Sequence, residues 1–236
     1  MRAMANTPNA ASVTLLLVRH GLTAATGHTL AGWTPGVHLD ERGRAQAAAL
    51  GARLASVRLD AVVTSPLERC VETAQAVADA VGVPVTVDER FGECRYGEWT
   101  GRPLAELAEE ELWPVVQAHP SAARFPGGES LAETAHRAVS AVRDHNARLL
   151  AAHDAPVYLV CSHGDVIKAI LADALGLHLD QFQRLQVDPC SLSVVRYTAL
   201  RPFVVRVNDV GGGTAGLRPA SETSGDAVVG GGAGEG

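Results

Sequence analysis

Four residues near the ends of three predicted strands have side chains suited to binding and attacking a phosphate group. Arg19 and His20 follow one apolar run, Arg69 lies in the first helical turn after a second, and His163 follows a third. Arginine binds phosphate oxygens bidentately and stays charged, and a neutral imidazole can act as a nucleophile near neutral pH. Because ligands bind beyond the carboxyl ends of strands in open α/β sheets, we expect the four residues to share one pocket. The sequence therefore predicts phosphoryl transfer.

The elements that must position these residues alternate between short apolar runs and helical patterns. This alternation is typical of an α/β fold, and we expect a three-layer α/β/α arrangement with a mainly parallel central sheet. The predicted strands are Val13–Val18, Ala61–Thr64, Val83–Val87, Val157–Cys161, Leu192–Tyr197 and Phe203–Val207.

Local signals predict where the helices begin. Asp40 is a plausible N-cap for the helix after the first strand. Ser65 and Glu68 have capping-box spacing, which predicts that the helix containing Arg69 begins directly after Ser65. Ser130 and Glu133 have the same spacing before a long helical pattern.

Composition limits the partners and the domain organisation. The chain has 236 residues and a formal net charge of −6 without a basic run, which argues against nucleic acid and anionic membranes and leaves a small phosphorylated metabolite as the expected partner.

We expect one catalytic domain over 13–210, between disordered tails at 1–12 and 211–236. The run Val13–Val18 is too short to cross a bilayer and no secretory pattern precedes it, so we expect a cytoplasmic protein. The sequence leaves a monomer and a homodimer open.

The sequence shows no pattern for a metal or a cofactor. It contains no HExxH motif, no phosphate-binding Walker loop and no clustered aspartate pair. The four cysteines are not paired as CxxC, and each lies in or beside an apolar element, so we expect buried free thiols: Cys70, Cys94, Cys161 and Cys190.

Four motifs in order resemble a known family. They are LLLVRHG, TSPLERCVETA, FGECRYGEWTG and the SHG that ends at Gly164, and together they cover most of residues 13–170. The sequence is similar to the histidine phosphatase superfamily, the phosphoglycerate mutase-like enzymes. In that family the histidine of RHG becomes transiently phosphorylated, which implies that His20 is the nucleophile and Arg19 a phosphate clamp. The same resemblance assigns Arg69 to phosphate binding and His163 to stabilising the transition state.

The resemblance also implies a carboxylic acid before the GEWTG segment. Glu93 matches the family's general acid, which protonates the leaving group and then activates water, although Glu89 and Glu98 lie nearby. Because this acid must carry a proton when substrate binds, we expect surroundings that raise its pKa. Tyr96 is either a substrate contact or an aromatic residue that covers the core.

The other expected substrate contacts lie in the loop after the first strand and at a helix start: Gly21, Thr23, Thr26, Gly32 and Gly164. Thr26 stands where many relatives have asparagine. Asp165 follows the SHG motif, and a carboxylate there would repel phosphate unless it points away or contacts a basic group of the substrate.

The sequence is compatible with three functions. The sequence favours a phosphatase over a phosphoglycerate mutase-type enzyme, because Glu93 and His163 are only 163 − 93 = 70 residues apart and Leu104 stands where mutases have a lysine. A second anion would lack its counter-charges, which costs several kcal/mol. A phospho-ligand-binding protein without turnover is the third reading, and the complete set of predicted catalytic residues argues against it.

Overall fold

The computed structural model describes residues 11–212 and 229–230. Its six strands form one sheet in the order β3-β2-β4-β1-β5-β6. The strands are β1 (Ser12–Arg19), β2 (Ala61–Thr64), β3 (Val85–Val87), β4 (Val157–Ser162), β5 (Leu192–Thr198) and β6 (Pro202–Asp209).

Six α-helices and four short 3-10 helices connect the strands in the described residues. The α-helices are α1 (Glu41–Leu54), α2 (Glu68–Val81), α3 (Leu104–Leu107), α4 (Trp113–Ala118), α5 (Leu131–Ala152) and α6 (Gly164–Leu175). The 3-10 helices are Glu89–Phe91, Gly97–Trp99, Pro120–Ala122 and Leu179–Arg184. None of the helices in these residues is both long and apolar enough to cross a bilayer.

The sheet has a parallel core and an antiparallel edge. Strands β3, β2, β4 and β1 are parallel neighbours, whereas β5 pairs antiparallel with β1 and with β6. Leu15 and Leu17 of β1 pack into a cluster with α5 and α6 on one face. Leu16 and Val18 pack with α1 and α2 on the other face. This alternation buries β1 on both sides, as expected for a central strand of a parallel sheet, and the predicted three-layer α/β/α fold is confirmed.

Two of the three predicted helix starts are confirmed. The Asp40 side chain accepts a hydrogen bond from the Gly43 N–H (2.7 Å) at the start of α1. Ser130 and Glu133 form a complete capping box at α5.

The predicted capping box at Ser65 is wrong. Helix α2 begins at Glu68, its N-cap is Leu67, and no side chain caps it. The Ser65 hydroxyl instead contacts the ring of His163 (2.8 Å) and accepts a weak hydrogen bond from the Leu67 N–H (3.3 Å). A long-range contact to the second histidine therefore replaces the local cap that the sequence suggests.

The element ends differ slightly from the predicted ones. Strand β3 begins at Val85 rather than at Val83, and β1 begins at Ser12, one residue inside the predicted N-terminal tail. Most of the two predicted tails, namely 1–10, 213–228 and 231–236, lies outside the described residues, so disorder there stays a prediction.

Candidate active site

Strand register brings the predicted residues to one edge of the sheet. In the pairing of β1 with β4, Arg19 lies opposite Ser162, and in the pairing of β2 with β4, Thr64 lies opposite Cys161. The next residues along the three strands are therefore neighbours. They include both predicted histidines, whose ring centroids are 5.3 Å apart.

His20 is held as a neutral nucleophile. Its Nδ1 lies 2.8 Å from the carbonyl oxygen of Gly21. Because a carbonyl can only accept, Nδ1 carries the hydrogen and Nε2 keeps its lone pair. Burial lowers the pKa of His20 well below its ordinary value, and the charges of Arg69 and Arg19 lower it further. The imidazole therefore presents an unprotonated Nε2 at neutral pH.

Arg69 links the two histidines. Its Nε donates to Nε2 of His20 (3.4 Å), and its Nη2 donates to the Gly32 carbonyl (2.9 Å) and to Nδ1 of His163 (3.4 Å). The guanidinium is buried, and Nη1 has no hydrogen-bond partner among the described residues. An unsatisfied buried donor is costly, so this N–H is suited to binding an anion.

His163 is also buried and neutral. Its Nδ1 accepts from Arg69, so its Nε2 carries the hydrogen and donates to Ser65 Oγ. Burial lowers the pKa of His163 well below its ordinary value, with the charge of Arg69 as the next cause. Ser65 therefore fixes the orientation of the second imidazole.

Arg19 lies on the other side of His20, at the end of β1. Its Nη1 donates to the carbonyl of Val187 (2.8 Å), and its Nη2 lies 3.5 Å from the carbonyl of Gly230. Burial lowers its pKa, against the opposing effect of nearby carboxylates. The guanidinium is thus positioned to bind a group in the same pocket as His20 and Arg69.

Glu93 has the protonation behaviour that a general acid needs. Its side chain is 4% exposed, and burial, followed by the negative charge of Asp165, raises its pKa to about 7. One carboxyl oxygen accepts from the Cys94 N–H (3.0 Å), and the other lies 3.8 Å from Nδ1 of His163. The sequence-based expectation of a raised pKa agrees with this environment. The alternative Glu98 is solvent-exposed, and Glu89 does not line the pocket.

Sequence reasoning missed the residue that holds the turn before Glu93. Arg137 of α5 donates to the carbonyls of Arg90 (2.7 Å), Gly92 (2.8 Å) and Glu93 (2.9 Å), and it pairs with Glu129. Three main-chain acceptors on one guanidinium fix the path of the chain. The sequence offers no specific signal for this role, because Arg137 lies outside the apolar stripe of its helix and resembles a surface arginine.

The predicted substrate contacts divide into two groups. Thr23, Thr26, Gly32 and Tyr96 line the pocket together with Arg19, His20, Arg69 and Glu93, whereas Gly21, Gly164 and His163 do not. The backbone of Gly21 is already used, since its N–H donates to Thr73 and its carbonyl binds His20. A side chain at Gly21 would meet the backbone oxygen of Gly43 at 2.7 Å, so this glycine is required for packing.

A short C-terminal piece of the chain also lines the pocket. Val229 is 2% exposed and packs with Leu30 and Tyr96, and the Gly230 N–H donates to Asp165 Oδ2 (3.0 Å). The sequence gives no sign of this packing, because the surrounding segment is rich in glycine and small residues.

The cysteines behave as predicted, since all four are buried free thiols. Within the described part of the chain, no group of three or more histidine, cysteine, aspartate or glutamate side chains is arranged to hold a metal ion.

Known proteins share this arrangement of sequence and fold. Residues 15–210 match the histidine phosphatase superfamily (branch 1). The chain is 31% identical over 202 residues to phosphoserine phosphatase 1 of Hydrogenobacter thermophilus, which covers 83% of this chain and 92% of that protein. It is 34% identical over 185 residues to a probable phosphoglycerate mutase of Yersinia enterocolitica, which covers 78% of this chain and 84% of the relative.

The fold is also similar to those of solved structures. Bacillus stearothermophilus YhfR superposes with a TM-score of 0.76 at 28% identity, over 84% of this chain and 98% of that one. A mycobacterial glucosyl-3-phosphoglycerate phosphatase superposes with a TM-score of 0.71 at 25% identity, over 84% of this chain and 99% of that one. With the match over 15–210 and the motifs in place on the sheet, the chain belongs to the histidine phosphatase superfamily.

Proposed function

We propose that the protein is a phosphomonoester hydrolase that acts on a small phosphorylated metabolite through a phosphohistidine on His20. One observation carries the proposal: an unprotonated imidazole nitrogen, two guanidinium groups and a carboxyl group with a pKa near neutrality surround one pocket. These are the nucleophile, the charge stabilisers and the proton donor that phosphoryl transfer requires.

In the first step, the weak hydrogen bond from Arg69 Nε to Nε2 of His20 (3.4 Å) is released, Nε2 attacks phosphorus, and the bond from phosphorus to the ester oxygen breaks. Arg19 and Arg69 bind the non-bridging oxygens, whose charge they stabilise. Glu93 gives its proton to the departing oxygen, so the alcohol leaves neutral and Glu93 becomes a carboxylate.

In the second step, the Glu93 carboxylate takes a proton from a water molecule, whose oxygen attacks the phosphohistidine. The bond from nitrogen to phosphorus breaks, the electron pair returns to Nε2 of His20, and inorganic phosphate leaves. Glu93 is protonated again, so the cycle closes without another reactant.

The charges of the pocket favour hydrolysis over a mutase reaction. Among the described residues that line it, the cationic side chains are Arg19 and Arg69, and Leu104 lies at the position where mutases of the family have a lysine. Two guanidinium groups match one phosphate. A second anionic group on a mutase substrate would lie against apolar and neutral side chains, at a cost of several kcal/mol.

The nucleophile is tested with p-nitrophenyl phosphate. Wild-type protein is expected to release phosphate and to be inhibited by vanadate, and quenching with alkaline detergent during turnover should trap up to one phosphate per chain that is stable to alkali and labile to acid. His20→Ala should show neither turnover nor labelling. His38→Ala, which removes an exposed histidine, is the matched control and should retain both. Robust turnover by His20→Ala would refute the assignment.

A mutase is distinguished by its product. Incubation with 3-phosphoglycerate should yield free phosphate, if any reaction occurs, rather than 2-phosphoglycerate. Rapid isomerisation would overturn the preference for hydrolysis.

We also propose that hydrolysis needs no metal ion, because the guanidinium groups supply the positive charge around the phosphate. Turnover should survive extensive EDTA treatment, and restoration of lost activity by an added divalent cation would contradict this. The net charge of −6 argues against nucleic acid as the substrate. A cytoplasmic location and a catalytic domain over 13–210 are part of the same proposal.

A further inference from the structure

Asp165 is a buried carboxylate next to two residues that line the pocket, and it takes no part in the proposed bond-making steps. It is the second residue of α6 and is 1% exposed. Its Oδ2 accepts hydrogen bonds from the Tyr96 hydroxyl (2.9 Å) and the Gly230 N–H (3.0 Å), and both of those residues line the pocket. The carboxylate therefore lies directly behind the pocket wall that Tyr96 and Gly230 form.

The carboxylate retains unused acceptor capacity. Oδ1 of Asp165 has no hydrogen-bond partner in the part of the chain that the structure describes. Lys168, one turn further along α6, donates its Nζ to Gln183 Oε1 (2.9 Å) and lies over the ring of Phe182. A buried carboxylate oxygen without a donor is unfavourable, so a ligand group that supplies a donor gains affinity.

The main chain at Gly230 indicates what kind of group fits. Its N–H donates to Asp165 while its carbonyl oxygen faces Arg19 at 3.5 Å. The main chain of Gly230 thus presents a hydrogen-bond donor to the Asp165 carboxylate and an acceptor to the guanidinium of Arg19, the residue to which we assign phosphate binding. A phosphate ester with a cationic donor two or three bonds from the ester oxygen would make the same two kinds of contact.

We infer that Asp165 determines substrate specificity by accepting a hydrogen bond from an ammonium group on the organic part of the substrate, so that the pocket selects aminoalkyl phosphates. The inference rests on the proposed hydrolysis at His20. A cationic donor binds a buried carboxylate more strongly than a neutral hydroxyl does, because charge-assisted hydrogen bonds are the stronger kind. The ligand takes the place of the Gly230 N–H at Oδ2 and uses the free Oδ1.

The first test compares three esters of nearly equal size by phosphate release at pH 7: O-phosphoethanolamine, n-propyl phosphate and 2-hydroxyethyl phosphate. Wild-type kcat/KM should be about tenfold or more higher for the amine than for either neutral ester. Asp165→Asn keeps the shape of the side chain but removes its charge, and it should abolish this preference. Asp173→Asn removes a carboxylate from the outer part of the same helix and should keep the preference.

The ratio between esters separates specificity from a structural role. Asp165 also raises the pKa of Glu93, so Asp165→Asn is expected to slow every alkyl ester by a common factor. If all three esters lose the same factor, or if the wild-type protein does not distinguish them, the inference is overturned while hydrolysis stands. An equal preference for the hydroxyl ester also overturns it.

Binding gives a readout without turnover. Calorimetry should show that wild-type protein binds 2-aminoethylphosphonate about tenfold or more tightly than propylphosphonate, neither of which can be hydrolysed. This comparison needs no variant and so does not depend on the folding of Asp165→Asn. Preferential binding of the amine without hydrolysis of any ester would refute the proposed hydrolysis but support the ammonium-binding role of Asp165. Equal binding of the two phosphonates would refute that role.

Discussion

Replacing Glu93 with glutamine tests whether burial of this carboxyl group creates the general acid. The ordinary pKa of 4.5 would leave about one glutamate in 300 protonated at pH 7, whereas a pKa of about 7 leaves about half protonated. Glutamine has a similar shape but no proton to transfer. Because general acid catalysis typically contributes about 10²- to 10⁴-fold, Glu93→Gln should lower kcat/KM for n-propyl phosphate by at least about 100-fold.

The leaving group and the pH dependence make the test specific. p-Nitrophenolate leaves readily without a proton, so the first step with p-nitrophenyl phosphate should lose far less. For the alkyl ester, wild-type kcat/KM should fall as pH rises through about 7, because Glu93 loses its proton. In the Glu93→Gln variant this fall in kcat/KM should be absent. Glu98→Gln, an exposed neighbour, is the control and should resemble the wild type. An equal decrease in rate for both esters, or the same pH dependence of kcat/KM in the variant as in the wild type, would refute the general-acid role of Glu93.

Glu93→Gln should lower activity but raise the stability of the protein above pH 7. The folded-state pKa of Glu93 is raised above its unfolded value, so its contribution to stability is lost as pH rises from 4.5 through about 7. Above pH 7 the ionised buried carboxylate costs up to about 3 kcal/mol. Urea unfolding at pH 8 should therefore show that Glu93→Gln is more stable than the wild type, with the difference disappearing near pH 4.5. A variant that is equally stable or less stable at pH 8 would contradict this environment for Glu93.

Three further changes test the positioning of the site and the packing of the fold. Arg137→Ala should lower kcat for alkyl esters about tenfold or more, and for aryl esters less, because it acts through Glu93; Arg143→Ala, on the exposed face of α5, should not. Ser65→Ala should lower kcat about tenfold by freeing the second imidazole, with a loss of unfolding free energy of only about 1 kcal/mol. Gly43→Ala should destabilise the protein by about 3 kcal/mol in urea unfolding, because the new methyl group would meet a backbone oxygen at 2.0 Å.

The sheet and the nucleophile could be predicted because their signals are local. An apolar run followed by Arg19 and His20 predicts both a strand and a polar strand end, and parallel strands bring such ends together. The same reasoning placed Arg69 and His163. The rule concerns topology, so it does not require knowledge of individual contacts.

Contacts between distant residues could not be predicted in this way. Ser65 has the spacing of a helix cap, yet its hydroxyl is bound by a ring 98 positions further along the chain. Arg137 looks like a surface arginine of an amphipathic helix, and only the folded chain places three carbonyl groups within its reach. Val229 lies in a segment whose composition is typical of disorder, although its side chain is buried. In each case the partner is chosen by tertiary packing.

One physical cause, removal from water, sets the protonation of the imidazoles and of the carboxyl group. Desolvation disfavours the charged form, so it lowers the pKa of His20 and His163 and raises the pKa of Glu93. The two active-site guanidinium groups reinforce the effect on the imidazoles but oppose it on the carboxyl group, because a positive charge stabilises a carboxylate. Asp165 offsets that opposition and is the second-largest cause of the raised pKa of Glu93. Burial and the charge of Asp165 together therefore outweigh the two guanidinium groups, so a pocket positive enough to bind phosphate still keeps a carboxyl group whose pKa is raised.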